Sequence, residues 1–311
     1  MVEYYGIDAQ PRPDSVLTVG TFDGVHRGHV TVLSKVAERA AVTTSVPTVV
    51  TFDPHPREVT SGEIVPLITT IPERIDLLAE LGIARVVVIP FDGDFASIPA
   101  ETYVRSVLFD SIGMREIVVG HDHAFGKGRA GDKNLLQELA GRHGFTVTEL
   151  PPALNNESVI SSSSIRNMLL LEGDVQRAAE LLGRPYSISG TVVSGDGRGG
   201  TIGFPTANVS VGHSRKIVPL RGVYAVRVRI DGELDRLDGM MNIGFRPTFD
   251  GSGLRVEVHL FDFDDNLYGR GLQIEFVKRI REERKFDGVE GLREQLKRDR
   301  ERCTAVLTGV S

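Results

Sequence analysis

The 311-residue sequence has a single cysteine, no tryptophan and no long apolar run. A single cysteine, Cys303, excludes an internal disulfide and a zinc site with several cysteine ligands, and it favours a reducing compartment. No apolar stretch approaches the roughly 18 residues that a membrane helix needs, so we expect no membrane partner. The N-terminal residues carry an early Glu and Asp and no apolar core, so no signal peptide is expected and the predicted location is cytoplasmic.

An excess of positive charge is also missing. The chain has 36 Lys and Arg residues against 42 Asp and Glu residues, a formal net charge of −6, so no globally basic field favours nucleic acid as a partner. The hydrophobic share of 41% and the charged share of 25% are those of a globular protein in water. The length allows two domains, and we expect a monomer or a weak homo-oligomer that does not bind nucleic acid.

The hydrophobic pattern changes near residue 185. Before it, continuous apolar strands alternate with amphipathic helices, which predicts a parallel sheet covered on both faces. The predicted strands are 15–20, 46–52, 84–91, 115–120 and 145–150, and the predicted helices are 29–41, 71–82, 99–113 and 132–144. In such a sheet ligands bind beyond the carboxyl ends of the strands.

After residue 185 the period of the pattern is two. The segments 223–230 and 254–260 alternate strictly between apolar and polar residues, and glycine-rich turns separate such runs, which predicts an antiparallel barrel or sandwich. A final amphipathic helix is predicted over 288–307, with an apolar stripe of Val289, Leu292, Leu296, Cys303 and Val306. The predicted domains are therefore 1–182 and 183–311.

The first candidate site is the segment TVGTFDGVHRGH, residues 18–29, where a predicted strand turns into a predicted helix. His26 lies in the turn and His29 in the first helical turn, next to free backbone N–H groups and the positive end of the helix dipole. This setting favours a phosphate over a metal cation, because a zinc pair is usually accompanied by a third ligand and a nearby glutamate. Two solvated histidines in a turn remain an alternative.

The second candidate is VISSSSIRNMLLLEGD, residues 159–174. Consecutive serines, among them Ser162 and Ser163, precede an apolar-periodic helix and supply hydroxyl donors together with an N-cap. Arg166, one turn into this helix, adds a guanidinium group that suits phosphate oxygens. A well-capped helix in a serine-rich loop is the plainer alternative.

The third candidate, GDGRGG at 195–200, matches a dinucleotide-binding pattern, G-x-G-x-x-G, but not its context. The pattern requires a helix next, whereas TIGFPTANVS follows, with Pro205 and β-branched residues. What remains is a flexible glycine loop that leads into Thr206 and Asn208, which face the same way on an extended chain. Hydroxyl and amide oxygens suit Mg²⁺ shared with ATP phosphates, although a polar barrel face is equally compatible.

Together these strings resemble a known family. TVGTFDGVHRGH, TFDPHP (51–56), VVGHDHAFGKGRAG (118–131) and ISSSSIR (160–166) are similar to the adenylyltransferase half of the prokaryotic bifunctional riboflavin kinase/FAD synthetases. GRGGTIGFPTAN (197–208), MNIGFRPTF (241–249), VEVHLFDFDDNLYG (256–269) and REERKF (281–286) are similar to the kinase half. The resemblance implies a nucleotidyltransferase domain of Rossmann-like fold followed by a six-stranded antiparallel barrel. It also implies ATP, riboflavin and FMN as partners and Mg²⁺ as cofactor.

The resemblance also implies roles for individual residues. The groups around the ATP phosphates in the first half are His26, His29, Ser162, Ser163 and Arg166, and the other nucleotide- or flavin-binding residues there are Gly20, Phe22, Asp23, Gly24, Phe52 and Asp122. In the second half Glu257 is the expected catalytic base, and Thr206 and Asn208 are the expected magnesium ligands. The remaining expected contacts are Gly195, Gly197, Gly200, Thr201, Pro205 and Arg281.

Two positions depart from the family pattern, and three rival functions stay open. Ser163 stands where the family usually has Thr, which keeps the hydroxyl, and His123 stands where it usually has an aromatic residue. The rivals are a non-catalytic flavin or nucleotide sensor, an RNA-linked protein of nucleotidyltransferase fold, and a metal-dependent hydrolase that uses His26 and His29. The acidic balance of the chain disfavours the RNA-linked protein.

Overall fold

The computed structural model describes residues 2–4, 14–120, 125–150, 160–195, 198–245 and 253–309. The chain forms two compact units, Met1–Ser161 and Ser162–Ser311. Within the described ranges, no helix is both long enough and apolar enough to cross a bilayer.

The first unit is built on a six-stranded parallel sheet with the order β1-β4-β3-β2-β5-β6. The strands are β1 (Val2–Tyr4), β2 (Ser15–Val19), β3 (Val46–Asp53), β4 (Arg85–Pro90), β5 (Met114–Val119) and β6 (Thr146–Glu149). Strands β3 and β4 lie on one side of β2 in the sheet, and β5 and β6 lie on the other side. The order therefore reverses at β2, and the carboxyl end of β2 is where doubly wound sheets bind ligands.

Helices connect the strands of this sheet. They are α1 (Arg27–Thr43), α2 (Pro56–Ser61), α3 (Ile71–Glu80), α4 (Gly93–Ala96), α5 (Ala100–Thr102) and α6 (Lys133–His143). Helix α3 begins with a capping box between Thr70 and Glu73, and α1 and α6 end at residues in the left-handed conformation, Thr44 and Gly144. The helix predicted over 99–113 is α5 continued as a π-helix, Tyr103–Ser111. Two apolar clusters form the core, one containing Leu17 and Ile117 and the other containing Leu33.

The second unit contains a closed antiparallel barrel with the order β10-β11-β8-β7-β12-β9, which confirms the predicted six-stranded barrel. Its strands are β7 (Tyr186–Val193), β8 (Ala207–Val211), β9 (Gly222–Ile230), β10 (Arg236–Phe245), β11 (Leu254–Leu260) and β12 (Gly271–Arg281). Alternate residues of β9 and β11, among them Tyr224, Val226 and Val258, give each strand a buried apolar face. The predicted strict alternation is incomplete, because residues 222–226 of β9 and 258–260 of β11 are all buried.

Three helical segments precede the barrel in this unit, and two more lie within it or after it. They are α7 (Ser162–Asn167), continued as a π-helix (Met168–Glu172), then α8 (Val175–Leu182), α9 (Arg198–Thr201) and α10 (Val289–Thr308). The segment 162–182 packs on the barrel: the backbone N–H of Leu220 donates to the carbonyl of Leu169, and Arg279 donates to the carbonyl of Glu172. The two compact units therefore meet between residues 161 and 162, which is 21 residues before the predicted domain boundary between residues 182 and 183. That 182/183 separates the two functional domains stays a prediction.

Two sequence expectations for the second unit were wrong in detail. Val289 was assigned to the buried stripe of the last helix, but it is 60% exposed because it is the first residue of α10. The residues of α10 that are buried are Asp299, Cys303 and Leu307. No helix was expected at the glycine loop 195–200, but its second half forms the one-turn helix α9.

Candidate active sites

The first candidate site is the turn between β2 and α1, residues 20–26. Three of its residues have positive φ: Phe22 (46°), Gly24 (88°) and Val25 (42°). This region is unfavourable for residues with a side chain, and most of all for β-branched ones such as Val25. The side chains of Phe22 and Val25 are buried in the core with Leu33 of α1. The turn is therefore strained, and part of what holds it is the packing of its own side chains.

His26 is the N-cap of α1, and His29 lies in the first turn of the helix. Their rings are stacked, with centroids 3.6 Å apart and planes 18° from parallel. Nδ1 of His29 is buried and has no hydrogen-bond partner among the described residues. Burial, and then the neighbouring His26 and Arg74, lowers the pKa of His29 well below its ordinary value, so this ring is neutral at pH 7. A neutral imidazole at a helix N-terminus can donate to a phosphate without binding a proton first.

Asp23 and Gly24, which were expected to contact the nucleotide, point into the protein instead. The Asp23 side chain is fully buried and accepts hydrogen bonds from the backbone N–H groups of Ile68 (3.1 Å) and Thr69 (2.8 Å). The N–H of Gly24 donates to the Thr69 hydroxyl (2.8 Å), and a Cβ at Gly24 would lie 3.0 Å from Ile68. Asp23 therefore supports the turn through these bonds, and its contact with a ligand stays a prediction.

An aromatic cavity of about 710 Å³ opens beside this turn, at the carboxyl ends of β2, β3 and β4. Gly20 and Phe52, both predicted site residues, lie on its wall. From Phe52 a chain of aromatic contacts continues through residues that the sequence analysis missed, namely Phe91, Phe95, Tyr103 and Phe125. Ring faces and edges of this kind suit a planar ring system. The missed signal is IPFDGDF (89–95), which places one aromatic residue at the end of a predicted strand and another four residues later.

The serine motif lies in the other unit. Ser162 and Ser163 begin α7, and Arg166 lies one turn further along with 8% of its surface exposed. Since the histidine turn belongs to the first unit and α7 to the second, a joint role at one phosphate site stays a prediction. Asp122 and Gly197, two other predicted contacts, lie outside the described residues, as does His123.

The second candidate site is a cavity of about 360 Å³ in the barrel unit. Three polar side chains on its wall, Arg255, Glu257 and His259, come from alternate positions of β11. The Glu257 carboxylate accepts a hydrogen bond from Nη1 of Arg255 (3.2 Å) and is 20% exposed. A carboxylate that is held in place and reachable from a cavity can accept a proton from a bound hydroxyl group.

The predicted magnesium ligands lie on β8 and just before it. Asn208 is the direct partner of Glu257 across the antiparallel pair β8–β11. Thr206 lines both the cavity that contains Glu257 and a second one, about 180 Å³, between β7, β8 and the segment 263–268. Gly195 lies so close to Asn208 that a Cβ there would be 1.8 Å from Nδ2, so a larger residue would displace the Asn208 amide.

These donors suit a hard cation. Hydroxyl, amide and carboxylate oxygens are the ligands that Mg²⁺ prefers, and Thr206, Asn208 and Glu257 supply one of each. In the ranges that the structure describes, no group of three or more His, Cys, Asp or Glu side chains forms a metal cluster, so the fit depends on the threonine and the asparagine.

The other predicted contacts of the barrel unit surround this cavity or lie beside it. Gly200 lies in α9 with open space where a Cβ would be, and Thr201 ends that helix. The carbonyl of Pro205 accepts a hydrogen bond from Nδ1 of His259 (2.7 Å). Arg281 lines the cavity and donates to the buried Asp299 of α10 through Nη2 (2.7 Å) and Nε (3.0 Å). The contact between Arg281 and Asp299 was not predicted, because 18 residues separate the two.

Comparisons with known proteins agree with this geometry. Residues 8–164 match the family model for FAD synthetase, and residues 182–307 match the model for riboflavin kinase. A protein of Escherichia coli strain K12 and one of Bacillus subtilis strain 168, both named bifunctional riboflavin kinase/FMN adenylyltransferase, are 38% and 40% identical. Each comparison covers 95% of this chain and 93% of the relative.

A solved structure from Streptococcus pneumoniae, described as a macrolide-efflux protein, superimposes with a TM-score of 0.86. It is 32% identical, over 96% of this chain and 97% of that one. The two share one fold from end to end.

Proposed function

Because the chain belongs to the bifunctional riboflavin kinase/FMN adenylyltransferase family, we propose that its two units divide two ATP-dependent reactions between them. The enzyme makes FMN and ADP from riboflavin and ATP, and FAD and pyrophosphate from FMN and ATP. The observation that carries the division is the position of the two family matches, since the FAD synthetase match lies almost wholly in the first unit and the kinase match lies in the second.

In the first unit the FMN phosphate attacks the α-phosphorus of ATP, and pyrophosphate leaves. A phosphate monoester has a second pKa of about 6, so it is already a nucleophile at pH 7 and needs no general base. The site should therefore consist of groups that stabilise charge, and His26, His29 and the N-terminus of α1 are such groups. The aromatic cavity beside the turn, with Phe52 on its wall, suits the isoalloxazine ring of FMN.

The leaving pyrophosphate has three further ligands in this proposal, namely Ser162, Ser163 and Arg166. Hydroxyl and guanidinium donors would stabilise the charge that develops when the α-phosphorus bond to pyrophosphate breaks. Support comes from the position of Ser162 and Ser163 at the start of α7 and of Arg166 one turn later.

In the second unit the 5′-hydroxyl group of riboflavin attacks the γ-phosphorus of ATP. A hydroxyl group is a poor nucleophile, so a base that positions it and accepts its proton is useful, and Glu257 has this role in the proposal. Thr206 and Asn208 would hold Mg²⁺, which neutralises charge on the phosphates of ATP. The two cavities that share Thr206 suit the flavin on one side and the nucleotide on the other.

One assay tests both halves. Purified protein is incubated with riboflavin and ATP, with and without Mg²⁺, and the flavins are separated by chromatography. We expect FMN first and FAD later, and neither product when Mg²⁺ is removed. FMN without FAD under every condition would refute the role of the first unit, and binding without turnover would indicate a flavin or nucleotide sensor. The cytoplasmic location, the monomeric or weakly oligomeric state and the lack of a nucleic-acid partner also remain parts of the proposal.

A further inference from the structure

A buried polar network lies under the turn that carries His26 and His29. The Thr69 hydroxyl donates to Oδ1 of Asp23 (3.1 Å) and accepts from the N–H of Gly24 (2.8 Å), so it bridges two residues of the turn. Thr69 lies just before α3, 45 residues after Gly24 in the sequence. The turn is thereby joined to a part of the chain that contributes no predicted site residue.

Arg74, on α3, extends this network and carries its positive charge. Nη2 of Arg74 lies 3.5 Å from Oδ1 of Asp23 and donates to the carbonyl of Thr69 (3.2 Å). Nη1 donates to the hydroxyl of Thr51 (3.2 Å), which itself donates to the carbonyl of Thr21 (3.1 Å). The guanidinium group therefore connects the start of the histidine turn, the end of β3 and the loop before α3.

This ion pair is desolvated. The side chains of Arg74 and Asp23 are 3% and 0% exposed. Removing one partner of such a pair leaves an uncompensated buried charge, which is strongly destabilising, so the two groups fix each other's position. Each residue in a sparsely populated backbone region costs about 1–3 kcal/mol and persists only where its surroundings determine its conformation. The turn has two such non-glycine residues, Phe22 and Val25.

We propose that Thr69 and Arg74 are positioning residues for adenylyl transfer, which hold the strained turn so that both imidazoles and the N-terminus of α1 meet the ATP phosphates in the reactive geometry. The inference rests on the function proposed for the first unit. Neither residue needs to touch a ligand: Thr69 acts through Gly24 and Asp23, and Arg74 acts through Asp23 and Thr51. The nearby charge of Arg74 also helps to keep His29 in its neutral form.

Two pairs of variants test this. Thr69→Val removes the bridging hydroxyl and Thr69→Ser keeps it, while Arg74→Lys keeps the charge and loses the fork that reaches Thr51 and Thr69. The matched controls are Thr48→Val and Arg85→Lys. Thr48 and Arg85 are also a buried threonine and a buried arginine of this unit, but they face each other at the amino ends of β3 and β4, away from the turn.

The measurements are kcat and KM for conversion of FMN to FAD, the melting temperature, and riboflavin phosphorylation by the same sample as an internal reference. A misplacement of about 1 Å can cost 100-fold in rate, so we expect Thr69→Val and Arg74→Lys to lower kcat about 10- to 100-fold. The KM for FMN should change little, because the aromatic cavity is intact. Thr69→Ser, which keeps the hydroxyl group, should have a kcat close to that of the wild type. The two controls should lower the melting temperature without lowering kcat.

The histidine ring signals in NMR give a readout that does not depend on turnover. Thr69→Val should move the signals of His26 and His29, whereas Thr48→Val should leave them in place. If the wild-type protein makes no FAD but these signals still move, the proposed function fails and the positioning of the turn stands. If Thr69→Val keeps the signals and kcat unchanged, or if Thr48→Val lowers kcat equally, the inference is overturned.

Discussion

The two candidate sites are built in opposite ways. The histidine turn of the first unit depends on a backbone with Phe22 and Val25 in the left-handed region and on buried polar groups from a distant helix. The barrel site depends on regular strands: Glu257 and His259 are two residues apart on β11, and Asn208 is the register partner of Glu257 on β8.

The chemistry of the two reactions accounts for this difference. An adenylyl acceptor that is already charged requires donors grouped around phosphate oxygens, and a helix N-terminus after a tight turn offers several backbone N–H groups at once. A neutral hydroxyl acceptor requires one carboxylate at a fixed point, and a strand residue in a closed barrel supplies it without strain.

The largest effect is expected from Glu257→Gln. This change removes the proposed base and keeps the shape of the side chain, and positioned acid–base groups contribute roughly 10²–10⁴-fold to rate. Riboflavin phosphorylation should fall by this factor, while conversion of supplied FMN to FAD should continue. Both rates are measured by chromatography of the flavins after separate incubations with riboflavin and with FMN.

The chain offers a close control for this variant. Glu275 on β12 is 18% exposed and lies 3.2 Å from Arg236, much as Glu257 is 20% exposed and lies 3.2 Å from Arg255. Glu275→Gln should therefore keep kinase activity. Loss of both activities in folded Glu257→Gln protein would mean that the two reactions share one site.

His29→Ala should have the opposite selectivity. It removes a proposed donor to the ATP phosphates, and a lost donor to developing charge costs on the order of 10²–10³ in rate. FAD formation from FMN should fall by this factor and FMN formation from riboflavin should persist. His143→Ala, on α6 of the same unit, is the control, because His143 contacts Phe109 rather than the turn. Equal losses in both reactions would contradict the division between the units.

The contrast also explains what could be predicted from the sequence. Alternation along 254–260 predicted the faces of β11, and the strand-turn-helix pattern at 15–41 predicted the placement of His26 and His29. Thr69 and Arg74 could not be predicted, because their link to the turn arises only when the chain folds back over 45 residues. Only the family resemblance assigned Asp23 to a ligand, and the sequence could not show that backbone N–H groups and a guanidinium group surround it in the fold.

The next prediction concerns the boundary between the units. A fragment of residues 162–311 should be more stable than one of 183–311, because the segment 162–182 buries Leu169, Val175 and Leu182. Full burial of such side chains contributes about 1.5–3 kcal/mol each, so the difference should reach several kcal/mol. Urea denaturation of both fragments measures it, with riboflavin phosphorylation as the check on folding. Equal stability would show that the helical segment adds nothing to the barrel.

A smaller effect is expected at His259, which holds the residue before Thr206. Its Nδ1 donates to the carbonyl of Pro205. An asparagine at position 259 can place a side-chain N–H near the position of Nδ1, whereas a glutamine cannot. His259→Gln should therefore raise the kinase KM for ATP by up to about tenfold, the value of one net hydrogen bond, and His259→Asn should raise it less. FMN adenylylation should be unchanged in both. The same KM for the two variants would show that the bond to Pro205 does not position Thr206.

The smallest predicted effect concerns acid stability. Burial lowers the pKa of His29 well below its ordinary value and, to a lesser degree, that of His259. Because the pKa of each histidine is lower in the folded protein than in the unfolded chain, the unfolded chain binds protons at a higher pH. Each histidine therefore lowers the free energy of unfolding as the pH falls below about 6.5.

The charges that the structure places around the two rings differ, and this should make their contributions unequal. His26 and Arg74 both disfavour a proton on His29, whereas Asp262 and the carbonyl of Pro205 partly offset burial and Arg300 at His259. His29→Asn should consequently flatten the decline of melting temperature between pH 7.5 and 5.5 more than His259→Asn does. Calorimetry across that range measures both slopes. If His259→Asn had the larger effect, burial and neighbouring charge would not disfavour a proton on His29 more than on His259, and the contrast between the two sites would lose its electrostatic basis.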